Sequence, residues 1–269
     1  MNTHKTVGII GCGWLGWPLA KQLIIDGYHI HGTTTSISKV EALRADGIQP
    51  FLIELSDEKL LGDIEGFLST CDILIINVPP KLRLEEDLYV PKMKRLIGHI
   101  ENSDVDQVLF IGSTSVYDDS KPFAEITESS KTSHTEKALK LLEVEQLFQK
   151  HTKFQTTILR FSGLFGEDRH PAKFLSGRSN VKNPDAPVNL IHLSDCISII
   201  RKILVHELWN ETLNAATISH PIREVYYSKI CRSMHIPIPQ FDHSMVSVGK
   251  VIHSDKLIRL ITYQFKVKL

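Results

Sequence analysis

The sequence predicts an α/β fold in which a parallel sheet is wound on both faces and a small lobe follows toward the C-terminal end. Three observations predict it. Apolar runs alternate with helical patterns through the first ~160 residues, as strands joined by crossover helices do. The first run, Val7 to Ile10, meets a Gly11-x-Gly13-x-x-Gly16 turn, then a helical pattern, then Gly27 and a second apolar run. The segment Asp72 to Val78 (DILIINV) is nearly all apolar, as a strand covered on both faces must be. Strand, glycine turn, helix, strand is the order of a dinucleotide-binding unit, so the expected class is a Rossmann-type doubly wound parallel sheet.

The elements follow in order. The first strand is Val7 to Ile10, and the first helix begins near Trp14, with Leu15, Leu19 and Leu23 on one face. Pro18 falls in its first turn, where proline is tolerated, and Gly27 stops it. A second strand covers about Tyr28 to Gly32, a helix about Lys39 to Ala45, a third strand Pro50 to Leu55 and a helix about Glu58 to Leu68. The fourth strand, Asp72 to Val78, ends at Pro79-Pro80, and Pro91 opens a helix to about Ile100. A fifth strand, Gln107 to Ile111, leads through a long loop to a helix from about Thr135 to Lys150 and a sixth strand, Thr156 to Leu159. Asn180 to Pro187 reads as loop; Asp195 is placed to cap a helix running to about His206. Thr212 to Asn214 is a candidate seventh strand, and Glu224 to Met234 and Asp255 to Leu260 are helical.

The 269 residues carry 31 Lys plus Arg and 31 Asp plus Glu, a formal net charge of zero. Nucleic-acid and anionic-membrane partners usually leave a basic excess, so neither is expected. No apolar run approaches the ~20 residues of a bilayer span. The scattered cysteines, Cys12, Cys71, Cys196 and Cys231, read as reduced core residues of a cytoplasmic protein. The 13 histidines show no metal-ligand spacing, so no metal is expected.

Gly11 permits a tight turn, Gly13 lets a diphosphate approach the backbone, and Gly16 brings helix and strand together. The opening amides, from Cys12, Trp14 and Leu15 onward, then face the phosphates with the positive helix end behind them. A NAD-preferring site usually carries a carboxylate at the end of the second strand. Here that position reads Gly32-Thr33-Thr34-Thr35-Ser36 with Lys39 nearby, and Thr34, Thr35, Ser36 and Lys39 are taken as the contacts, which favours NADP over NAD. Glu54 and Leu55 are placed to border the adenine, and Asn77, Val78 and Pro79 lie at the carboxyl end of the fourth strand.

LFIGSTSVYDD (Leu109 to Asp119), LRFSGLFGEDRH (Leu159 to His170) and VNLIHLSDC (Val188 to Cys196) resemble, in the right order, segments of the extended short-chain dehydrogenases/reductases, the NAD-dependent epimerase/dehydratase group. The resemblance is to an atypical branch with a true Gly-x-Gly-x-x-Gly turn. It implies a dinucleotide-binding region over 1–165, with 188–216 returning to the sheet, and a substrate-binding lobe from 166–187 and 217–269. It also implies a small-molecule substrate and a homodimer paired through the helices after the fourth and fifth strands. The family's chemistry uses a tyrosine and a lysine four residues apart on the helix after the fifth strand. Here Lys137 falls in the tyrosine place and Leu141 in the lysine place; sliding the match by one gives Glu136 and Lys140, which restores a lysine but no tyrosine, and Pro122 to Lys150 contains no tyrosine at all. Ser113 matches the hydroxyl that polarises substrate oxygen, so the catalytic candidates are Ser113, Tyr117 and Lys137.

Two functions fit. One is an NAD(P)-dependent oxidoreductase or epimerase-like enzyme on a small carbonyl, hydroxyl or sugar-like compound. The other is a non-enzymatic NAD(P)-binding sensor or scaffold, suggested by the missing pair. GCGWLGWPLA is also similar to the opening of β-hydroxyacid dehydrogenases, which continue into an all-helical second domain; the Val188 to Cys196 match and the mixed tail point away from them.

Overall fold

A computed structural model describes residues 5–56, 59–80 and 88–269. Its elements are β1 (Thr6–Ile10), α1 (Gly16–Ile25), β2 (His29–Thr34), α2 (Val40–Ala45), β3 (Gln49–Leu52), β4 (Glu54–Leu55), β5 (Leu60–Leu61), α3 (Ile64–Leu68), β6 (Ile73–Ile76), α4 (Tyr89–Glu101) and β7 (Gln107–Ser113). Then follow β8 (Ala124–Ile126), α5 (Glu136–Gln149), β9 (Gln155–Phe161), β10 (Gly163–Phe165), α6 (Pro171–Leu175), β11 (Leu190–His192), α7 (Leu193–Val205), β12 (Thr212–Ala215), α8 (Arg223–Ser233), β13 (Lys250–Ile252) and α9 (Asp255–Ile261).

Seven strands form the central sheet in the order β12-β9-β7-β6-β1-β2-β3. β1 runs parallel between β2 and β6, with Val7 opposite both Ile30 and Ile73. β2 pairs parallel with β3, and β6 with β7. The chain winds outward one way through β2 and β3, then returns to start again at β6 on the other side of β1. That reversal leaves a crevice at the carboxyl ends of β1 and β6, where ligands of such sheets bind. Burial explains the strand sequences: Val7, Ile9, Leu74 and Ile75 are fully buried, so both faces must be apolar.

By compactness the chain forms two units. The first comprises residues up to Gly112, His134–Leu159 and Ile199–Thr212. In it, Thr135 caps α5 by accepting from the Ala138 amide. Its helix neighbour α4 is tied to it by Lys94 and Glu143 at 2.9 Å. The second comprises Ser113–Ser133, Arg160–Ser198 and Leu213–Leu269. Its core gathers Phe165, Val188, Leu190, Tyr226, Tyr227 and Cys231. It holds the short parallel pairs β10–β11 and β8–β13, so it is mixed rather than all-helical.

Several boundaries differ from the sequence reading. The first helix starts at Gly16, not near Trp14. The third strand stops at Leu52; Glu54 and Leu55 turn away to pair antiparallel with Leu61 and Leu60. The helix expected from about Glu58 begins at Ile64, capped by Asp63, whose carboxylate accepts from the Gly66 amide at 2.8 Å; Glu58 itself lies outside the described residues. Asp195 is not a cap but sits inside α7. Its fully buried carboxylate accepts from the Tyr263 hydroxyl at 2.7 Å and from the Lys266 and Val267 amides at 2.8 and 3.3 Å. All four cysteines are buried free thiols. Among the described residues no helix is long and apolar enough to cross a membrane.

Candidate dinucleotide site

β1 delivers the chain into the glycine turn, and the turn is stitched to its neighbours by short-range geometry. The Gly11 amide donates to Thr33 Oγ1 and the Cys12 amide to the Thr33 carbonyl, both at 2.9 Å. Asn77 Nδ2 donates to the Gly11 carbonyl at 3.1 Å, tying the end of β6 to the same loop. Gly11 has φ +100°, and a Cβ there would lie 2.4 Å from the Asn77 carbonyl oxygen. A Cβ on Gly16 would lie 2.2 Å from the Gly11 carbonyl oxygen. Gly13 is different: a Cβ there meets nothing within 4 Å. Gly11 and Gly16 are therefore required by the fold itself, whereas Gly13 faces open space at the mouth of α1. The helical ladder begins with the Trp17 amide bonding to Gly13 O at 3.0 Å. The Cys12 amide, expected to face the phosphates, is spent on Thr33 O and the Gly13 amide on Gly11 O at 2.8 Å, so the amides that lie ahead of the ladder, where a helix end attracts anions, are those between Gly13 and Trp17. Trp17 also fixes α1, its indole Nε1 donating to Asp46 Oδ2 at 2.7 Å.

A cavity of about 320 Å³ opens over this turn. Of the residues expected at a cofactor, Gly11, Cys12, Gly13, Thr34, Thr35, Lys39, Glu54, Leu55, Val78 and Pro79 line it. Trp14, Leu15, Gly16, Ser36 and Asn77 do not. Leu15 is 3 % exposed and packs into the core, and Ser36 Oγ pairs with Ser38 Oγ at 2.8 Å. Asn77 and Gly16 act from behind, by holding the turn. Sequence reasoning missed Thr33, Ile10, Ile53, Pro80, and Tyr89, Lys92 and Met93 of α4, which also line the cavity. Thr33 could have been found, since it belongs to the same Gly32 to Ser36 stretch at the end of the second strand; its hydroxyl accepts from the Gly11 amide. Burial pushes the Cys12 thiol up to about 12, so it stays protonated inside the turn. Lys39, exposed at the cavity rim, forms no ion pair with the described residues.

The three catalytic candidates differ in setting. Ser113 ends β7 in the second unit; its Oγ donates to Ser115 Oγ at 2.9 Å and accepts from the Ser115 amide at 3.1 Å. Tyr117, 2 % exposed, donates from its hydroxyl to Asn214 Oδ1 at 3.1 Å and accepts from Arg160 at 2.6 Å. Burial raises the Tyr117 pKa; the adjacent Arg160 guanidinium pulls the other way without cancelling it. Lys137 belongs to the first unit and is exposed on the first turn of α5, while Leu141, one turn on, is buried. His192 Nδ1 lies 2.8 Å from Ser194 Oγ, and its ring packs edge-on against Phe165.

Residues 6–136 match the model of the NAD binding domain of 6-phosphogluconate dehydrogenase, which supports NAD binding by this part of the chain. Two solved structures share the fold across nearly the whole length. A short-chain dehydrogenase/reductase superfamily protein from Agrobacterium tumefaciens with bound NAD has a TM-score of 0.77 at 15% identity, covering 98% of this chain and 93% of that one. UDP-glucuronic acid 4-epimerase from Bacillus cereus in complex with NAD has a TM-score of 0.79 at 16% identity, covering 98% and 92%. Protein YeeZ of Escherichia coli (strain K12) is 30% identical over 266 residues, spanning 97% of this chain and 96% of its own. The chain therefore belongs to the family of Protein YeeZ and has the fold of an extended, epimerase-like short-chain dehydrogenase/reductase.

Proposed function

We propose that the protein binds NAD(P) over the Gly11–Gly16 turn and acts as an oxidoreductase or epimerase-like enzyme on a small carbonyl, hydroxyl or sugar-like compound. The observation that carries this reading is the combination at Gly13. The fold leaves open space there, directly at a helix end that attracts phosphate, although nothing in the packing asks for glycine at that position. The cavity continues to Thr34, Thr35 and Lys39, which supports NADP as the preferred form. Hydroxyls and an ammonium accept a 2′-phosphate, and the end of β2 offers no carboxylate to repel it.

When bound, the cofactor supplies or takes up a hydride. The chain's part is to hold a substrate oxygen and to move a proton. Ser113 Oγ fits the first task once its donated bond to Ser115 is exchanged for one to substrate. The Tyr117 hydroxyl is engaged by Asn214 and Arg160, which argues against it as the proton carrier; Lys137 or water is proposed in its place.

The same occupied tyrosine, and the buried Leu141 in place of a lysine, favour a second reading: a dinucleotide sensor without turnover. Calorimetry with NADPH, NADP, NADH and NAD tests the common part; no heat with any of them overturns both readings. Turnover of a panel of carbonyl and sugar compounds, read as a steady nicotinamide absorbance change for net redox chemistry and by NMR of the compound for epimerisation, and sharply reduced in Ser113→Ala, establishes the enzyme. Tight binding that distinguishes oxidised from reduced cofactor, with no turnover across the panel, establishes the sensor.

A further inference from the structure

The second unit has a cavity of its own, about 180 Å³, framed by Arg223 and Tyr227 of α8, by Lys250 and Asp119, and by the 186–190 segment. Most polar groups around it are already engaged. Asn189 spends its amide on the backbone, donating to Lys250 O at 2.8 Å and accepting from the Ile252 amide at 2.9 Å. Asn183 Oδ1 accepts from the Val248 amide at 3.2 Å. Lys250 Nζ donates to the Tyr117 carbonyl at 2.7 Å and pairs with Asp119 at 3.0 Å. Glu224, next along α8, pairs with His243 at 3.2 Å.

Two groups are not engaged. Tyr227 is 7 % exposed, yet its hydroxyl makes no hydrogen bond with the described residues. The Arg223 guanidinium has neither an ion pair nor a hydrogen bond among them; its backbone amide alone is bonded, to Ala186 O at 2.9 Å. A cation at the first position of a helix opposes the helix dipole. The Tyr227 ring packs in the second unit's core, edge-on to Tyr226 at 5.1 Å, which leaves its hydroxyl and the Arg223 guanidinium as the unengaged polar groups of the cavity. Together they offer one uncompensated positive charge, several guanidinium donors and a hydroxyl, all on one small cavity with apolar walls at Ala186, Val188 and Val248.

We propose that this cavity binds a small carboxylate compound, its carboxyl group held by the Arg223 guanidinium with the Tyr227 hydroxyl as a further donor. A guanidinium matches a carboxylate with two parallel bonds. The charge balance selects a monoanion: Lys250 is neutralised by Asp119, so Arg223 alone is left to be met. A phosphate dianion would remain half-compensated in a cavity of this size. The proposal stands on the second unit alone and does not depend on dinucleotide binding.

The test is ligand-observed NMR and calorimetry on the whole protein, without nucleotide, using acetate, lactate, pyruvate and succinate, with lactamide and inorganic phosphate as controls. The expected result is saturable binding of at least one carboxylate, with lactamide and phosphate at least tenfold weaker. Arg223→Gln should weaken the bound carboxylate at least tenfold. Tyr227→Phe, which keeps the ring and its packing, should weaken it about threefold to tenfold while the melting temperature is retained. Binding of no carboxylate, equal binding of lactamide, tighter binding of phosphate, or unchanged affinity in both variants overturns the proposal. Nucleotide affinity, measured separately, shows whether the dinucleotide reading stands or falls on its own.

Discussion

Gly13→Ala separates a glycine kept for packing from one kept for a ligand. The backbone at Gly13 does not have the positive φ seen at Gly11, and an added Cβ meets no atom within 4 Å. The folded protein should accept alanine without strain. Losing glycine's unfolded-state freedom contributes about 0.4–1 kcal/mol of stability. For a chain of this size that is an upward shift of roughly 1–4 °C in melting temperature. The same methyl stands where a diphosphate would rest. Moving that group outward costs one or two charge-assisted bonds to backbone amides, about 3 kcal/mol together, or about 100-fold in Kd. Differential scanning fluorimetry gives the first quantity, and calorimetry with NADPH and NADH gives the second. Gly16→Ala is the contrast, because its Cβ would lie 2.2 Å from the Gly11 carbonyl oxygen and should destabilise the fold itself. Gly13→Ala binding within threefold of the wild type would refute the placement of the diphosphate.

Three more expectations accompany it. Lys39→Ala should weaken NADPH about fivefold, as loss of an exposed ion pair does, and leave NADH within twofold; equal losses for both nucleotides would remove Lys39 from the 2′-phosphate. Tyr117→Phe should cost about 1–3 kcal/mol in urea unfolding, because the Arg160 and Asn214 side chains lose their shared buried partner; a kcat loss above 100-fold with stability unchanged would instead make Tyr117 catalytic. Burial lifts the Cys12 and Cys71 thiols from 9.0 to about 12 each, so between those pH values the unfolded thiols release protons that the folded ones keep. Their contribution is full below pH 9 and declines above it by up to about 1.4 kcal/mol per pH unit for each thiol. Urea unfolding at pH 8 and 10.5 should show that decline, and a Cys12→Ala, Cys71→Ala double variant with an undiminished slope would disprove it.

What the sequence showed was local. β1, the glycine turn and α1 are contiguous, and each position carries its own steric reason, so the cradle could be read almost residue by residue. A helix opening near Thr135 and Pro91 in a first helical turn were legible for the same cause, a local signal; that Thr135 is the cap is a finding of the structure. The third strand was overextended because PFLIEL is apolar enough to continue; the backbone breaks at Ile53, and Glu54–Leu55 find their partner in Leu60–Leu61. β8, β10, β11 and β13 were not seen. Each is three residues long and pairs across 27 to 126 positions, too short for a period and too distant for a turn signal. Asp195 looked like a cap because aspartate before an apolar helical pattern usually is one. Its true donors lie about 70 residues away and leave no mark near it. α4's contribution to the cavity was hidden in the same way, since Tyr89 falls before the helix expected from Pro91 and Met93 carries no binding chemistry of its own.

The Asp195 carboxylate makes the last few residues a fastening rather than a loose end. Cutting the chain after Thr262 would remove a hydroxyl and two amides at a stroke and strand an anion deep in the second unit's interior, a debt of several kcal/mol. A short deletion there should therefore behave like a core mutation, whereas an affinity tag appended beyond Leu269 leaves those donors in place and should be tolerated.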